Sequence, residues 1–165
     1  MNPPTNPADI LLAHDRWATG QVLDACARLS VAQLHTRFEI GLGSLHDTLV
    51  HVIGAMRLWA DVLGLRPPRP WIEQASRRSA AELRVLYDEA AADLAAVAFA
   101  GPMDQPLQRE RQGVVSTYTR GAVLTHVTTH GMHHRAQCLN MLRHLGVSPL
   151  PPSSVVEWSR AGGPV

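Results

Sequence analysis

Four stretches of this sequence carry helical periodicity between recognisable start and stop signals, and this pattern limits the fold more than any other feature. The first runs from Pro7 to Leu29. Asn6 caps it, and Pro7 takes the first helical position, where a missing N–H does no harm. Ile10, Leu11, His14, Trp17, Ala18 and Val22 form its apolar stripe. A connector from Ser30 to Gly43 follows and ends in the glycine-bounded GLGS. Ser44 opens the second helix, with Asp47 three residues on in the manner of a capping box. Leu45, Leu49, Val52, Met56 and Trp59 recur on a helical period, and Gly64 is the expected stop.

The prolines of RPPRPW, Arg66 to Trp71, lack donors and restrict their predecessors, so this stretch is a loop whose Trp71 packs back on the helices. Ser79 and Glu82 form a second capping box, opening the alanine-rich AAELRVLYDEAAADLAAVA that Gly101 and Pro102 terminate. Residues 102–118 read as irregular, or at most a short hairpin turning at Gln112-Gly113. Thr119 caps the fourth helix, which reaches Gly146 as its C′ glycine with Pro149 beyond. The tail PLPPSSVVEWSRAGGPV reads as a surface strap with Trp158 docked. These elements predict an all-α fold, a four-helix bundle with long connectors. The 165 residues suit a single domain, residues 1–165, with its core at about 8–146 and a C-terminal tail at 147–165.

Composition excludes several functions. Fifteen basic against fourteen acidic residues leave a net charge of +1, with no basic footprint for nucleic acid and no polybasic run for an anionic membrane. No apolar run approaches the ~20 residues of a membrane span. The opening MNPPTNPADI has neither a basic start nor an apolar core, so the expected location is the cytoplasm. Cys26 and Cys138 form no CxxC pair and read as buried core residues.

Histidine is the unusual residue: there are nine, and six of them (His46, His51, His126, His130, His133, His134) lie in two short segments. His126, His130 and His134 are spaced by four, so neighbours in the series share a helix face one turn apart, and such a pair can hold one metal ion. Three in a row drift too far round to bind together, so a third ligand must come from another helix. The second helix offers His46 and His51, which project in different directions; the deeper position favours His51. Three imidazoles suit zinc, nickel, copper or iron and leave coordination positions open, as a catalytic site requires.

The segments LTHVTTHGMHHRAQCLNMLRHLG, GSLHDTLVHVIGAMRLWADVLGL and ILLAHDRWATGQVLDACARLS resemble the helices of the DinB family, over about residues 8–150. That resemblance implies a helical bundle, a homodimer, and a metal held by one histidine of the second helix and two of the last long helix. By motif position these are His51, His130 and His134. One departure is Ala136, where the family pattern has glycine. The resemblance also implies one divalent ion, zinc or nickel with iron as a further candidate, and a small-molecule substrate, with a thiol as one class. His46, His126, His133 and Gln137 are candidates for the groups around the ligands. Asp47 reads as a capping residue, Arg135 as a structural ion-pair partner, and Trp17 and Trp59 as core. No residue is singled out as catalytic. Two functions compete: a metal-dependent enzyme of thiol-transferase or hydrolase type, and a non-catalytic metal-binding or stress-response protein.

Overall fold

The computed structural model describes residues 6–72 and 77–163; the first five residues of the opening stretch and the last two of the tail lie outside it. The fold is mostly helical. In chain order it comprises α1 (Pro7–Cys26), α2 (Val31–Leu34), α3 (Leu45–Leu63), α4 (Ala80–Ala98), β1 (Pro106–Arg111), β2 (Val114–Thr119), α5 (Arg120–His144) and α6 (Val155–Arg160). The long helix α3 packs between α4 and α5, and α1 lies against α5 and α4. The expected stripe of α3 (Leu45, Leu49, Val52, Met56, Trp59) is buried throughout and forms the spine of the core with Leu83, Leu94, Met141 and Leu142.

Local chemistry sets the helix ends. Asn6, Ser44, Ser79 and Thr119 each accept a backbone N–H of the first turn, and Ser79 with Glu82 completes a reciprocal box. Asp47 departs from the expected role. Its N–H goes to Ser44, but its carboxylate turns to Arg37 at 2.6 Å and to His46 at 3.0 Å instead of reaching back to the cap. At the far end of α5, Gly146 has φ +80; its N–H bonds Arg143 O, and Val147 N–H bonds Leu142 O. These two bonds satisfy carbonyls that the helix itself leaves without donors. The end of α3 is less comfortable. Gly64 keeps a right-handed φ of −84°, and Leu65 takes the left-handed position at φ +53°. A side chain at 64 would press on Ala60 O and Val97.

Arg120, buried at the start of α5, joins three elements. Its guanidinium donates to Leu63 O at the end of α3, to Val97 O and Ala98 O at the end of α4, and to the Gln105 side chain. A cation placed among C-terminal carbonyls meets both their unfilled acceptors and the negative end of two helix dipoles.

Three features add to the four expected helices, the first of them the hairpin that the sequence allowed. The stretch before α5 is an antiparallel hairpin, with Pro106 opposite Thr119 and Arg111 opposite Val114. Its turn residues Gln112 and Gly113 both have positive φ, the geometry that matches strand twist in a two-residue loop. The connector after α1 holds the one-turn α2, boxed by Ser30 and Gln33. The tail holds α6, boxed by Ser154 and Glu157, which buries Trp158 near the His14 ring; His14 Nε2 meets Ser153 O at 3.0 Å.

Candidate metal centre

His51 projects from the middle of α3, and His130 and His134 from successive turns of α5. The side-by-side packing of these helices brings the three rings together. His51 Nε2 lies 3.0 Å from His130 Nε2, and His134 Nε2 lies 3.2 Å from it. All three candidate ligand atoms fall within 4.8 Å of one another. Of two facing imidazole nitrogens only one can donate, so three converging nitrogens cannot satisfy one another fully. Their lone pairs meet a need that a single cation would fill.

Electrostatics favour the neutral, ligating form. Burial lowers the pKa of all three rings. The effect is largest at His130, where burial and the neighbouring His134 and His51 bring the value down to about 4. At neutral pH the cluster therefore presents uncharged imidazoles, the state in which histidine binds a metal.

His134 is oriented from behind. His134 Nδ1 lies 2.8 Å from Gln137 Oε1, which accepts its proton and leaves Nε2 free to face the cluster. The Gln137 amide nitrogen in turn donates to His133 Nε2 at 3.0 Å. The carboxamide fits because residue 41 is glycine: Gly41 sits at φ +51°, and a Cβ there would run into Gln137. The GLGS segment thus serves the site as well as the turn. His133 itself is exposed, with its ring 5.0 Å from that of His134. His126 is exposed one turn before His130, its ring 5.4 Å from that of His130 and edge-on to Trp59 at 5.2 Å.

His46 stands apart from this arrangement. It is buried, its Nδ1 faces Asp47, its Nε2 accepts the N–H of Arg78 at 3.2 Å, and its ring lies 4.2 Å from that of His35. The five-residue offset from His51 turns it to the other side of α3.

The sequence model of the DinB family matches residues 1–157, nearly the whole chain. The chain belongs to the DinB family. No curated protein matches it. In this DinB-family chain, the Ala136 departure falls on the exposed side of α5, away from the clustered rings. No helix among the described residues is long and apolar enough to cross a membrane.

Two further residues border the site: Trp71 packs back on the helices as expected, and Asp15 went unread in the sequence. Trp71, at the end of the proline-rich loop, lies over Gly54, where a Cβ would meet its indole at 3.0 Å, and its ring is 6.3 Å from that of His51. The glycine inside α3 was the available signal, since such a residue marks close approach. Asp15 is the second. Its carboxylate pairs with Arg135 inside the core, where Arg135 also reaches Thr19 at 3.2 Å. Gly131 makes room for it, because a side chain there would strike the Asp15 carboxylate. The structural reading of Arg135 stands with this partner named. Cys26 and Cys138 are both buried free thiols, and burial pushes the Cys26 thiol up to about 12.

Proposed function

We propose that His51, His130 and His134 hold one divalent transition-metal ion through their Nε2 atoms, and that the protein is a metal-dependent enzyme acting on a small molecule. The observation that carries this reading is the convergence of three imidazoles, with His134 Nδ1 held from outside by Gln137. The donor set suits zinc or nickel, with iron as a third candidate. An ion held there supplies a Lewis acid with coordination positions left for a water or a thiol. Trp71 walls one side of the cluster, and His126 borders it with its ring 5.4 Å from that of His130. Thiol transfer and hydrolysis are the two reaction types this arrangement supports. We take the chain as one domain over residues 1–165, a four-helix bundle of α1, α3, α4 and α5 that pairs as a homodimer and works in the cytoplasm.

The test is a comparison of metal-loaded and metal-stripped protein. The enzyme reading expects the stripped protein to stay folded by circular dichroism and to lose turnover of thiol–electrophile or ester substrates, with nickel or zinc restoring it. Unfolding on removal of the metal would instead favour the non-catalytic metal-binding reading.

A further inference from the structure

A groove of about 920 Å³ runs between the C-terminal part of α3, the proline-rich loop and β1. Its size lies in the upper range of small-molecule sites, roughly 300–1,000 Å³. Leu58, Val62, Leu65, Pro67 and Arg109 line it, and Glu110 and Asp61, the latter paired with Arg66 and Arg69, also border it. The groove lies further along α3 from the histidine cluster. Leu58 follows His51 by seven residues, so the two share one face of α3 about 10 Å apart. Leu58 also borders a small separate hollow with Gly54 and Trp71, whose ring lies 6.3 Å from that of His51.

Arg109 gives this groove its chemistry. In β1 it alternates with Glu110 and shares the inward side with buried Leu107. Its guanidinium lies 5.1 Å over the Trp59 ring, whose edge meets His126 beside His130. Arg66 and Arg69, on the neighbouring loop, are bound to Asp61 and Asp93. Among the described residues Arg109 has no ion pair. A half-buried guanidinium that faces inward, stacks on an indole and lacks a carboxylate has donors free for a planar anion.

We propose that this groove holds the non-reacting part of an elongated small molecule, and that Arg109 binds a carboxylate on it while the reacting end lies at the histidines. The proposal rests on the metal-centre reading. It makes Arg109 a specificity-determining residue and the hairpin the wall that carries it.

The experiment loads the protein with cobalt(II) and follows its visible spectrum during titration with mercaptohexanoate or mercaptohexanol. These thiols have equal reach and differ in charge. The acid is expected to bind about tenfold more tightly or better, the range of one charge-assisted hydrogen-bond pair. Arg109→Gln should erase that preference with cobalt uptake unchanged, and Arg109→Lys should keep part of it. Equal binding of the two thiols by the wild type, or a preference that persists in Arg109→Gln, would overturn the proposal. Should Arg109→Gln fail to fold by circular dichroism, the wild-type comparison decides, since the preference must also shrink as salt is raised. Failure of the histidines to take up cobalt would overturn the metal reading and this one with it; uptake without preference would overturn this one alone.

Discussion

Helix α5 carries two polar groups into the protein interior, one residue apart in register, and they are built in opposite ways. Gly131 and Arg135 face α1, where Arg135 closes on Asp15 and Thr19. His130 and His134 face α3, where three imidazoles converge and compete for protons. In the first region opposite charges pair, and Arg135 Nε alone of that guanidinium is buried without a hydrogen-bond partner among the described residues. In the second, like groups crowd together with their lone pairs inward, which costs stability unless something binds. The difference separates an ion pair, whose charges balance, from a candidate binding site, whose like groups leave lone pairs facing one another.

That contrast can be broken most forcefully at Asp15. Asp15→Ala leaves a buried guanidinium without its partner, and the expected loss is about 3–5 kcal/mol of unfolding free energy, measured by urea denaturation of metal-free protein. His130→Ala should cost the metal-free protein far less, because it relieves crowding. Equal losses at the two positions would erase the distinction drawn here.

The next effect concerns Gln137, which is expected to act on the histidines from behind. Gln137→Leu should weaken metal binding about 10- to 100-fold while leaving the metal-free fold intact. Gly41→Ala should act in the same direction, since its methyl group displaces the Gln137 carboxamide. Competition with a chromophoric chelator measures both. An unchanged affinity in Gln137→Leu would mean that His134 is oriented by packing alone.

The acid response sharpens the comparison further. The lowered pKa of His130, about 4, lies below its unfolded value near 6.5. The unfolded chain therefore takes up protons first as pH falls. Metal-free protein should hold the full contribution of these rings above pH ~6.5 and lose it as pH drops toward ~4. Denaturation midpoints across that window should fall less steeply in His130→Ala. An identical slope would show that the cluster has no part in acid sensitivity.

The smallest effect lies outside both regions. Leu65, exposed at φ +53°, carries the strain of a left-handed position. Leu65→Gly should stabilise the protein by about 0.5–1 kcal/mol, seen as a higher melting temperature.

Much of this was legible in the sequence because helix ends are written in short-range chemistry. Asn6, Ser44, Ser79, Thr119 and Gly146 each act where the sequence places them, since a cap needs only its own next turn. The one-turn helices α2 and α6 were not read, because four or six residues are too few to establish a period, although Ser30/Gln33 and Ser154/Glu157 carry the capping pattern. The offset of His46 from His51 could be reasoned from helix geometry, and the structure places the two rings in separate surroundings. Arg120, Asp15 and Arg109 escaped, as did the seat of Trp71 over Gly54, because their partners lie far along the chain. Gly54 and Gly131 were the local traces of those contacts, each marking where another side chain presses against a helix.

The most direct test of the central claim is the metal content of the natively purified protein beside His51→Ala, His130→Ala and His134→Ala, with circular dichroism to verify the fold. The account predicts about one transition-metal ion per chain in the wild type. It also predicts loss of that ion in each folded variant. A wild type that takes up no nickel, zinc or iron after supplementation, or variants that all retain the ion, would contradict it.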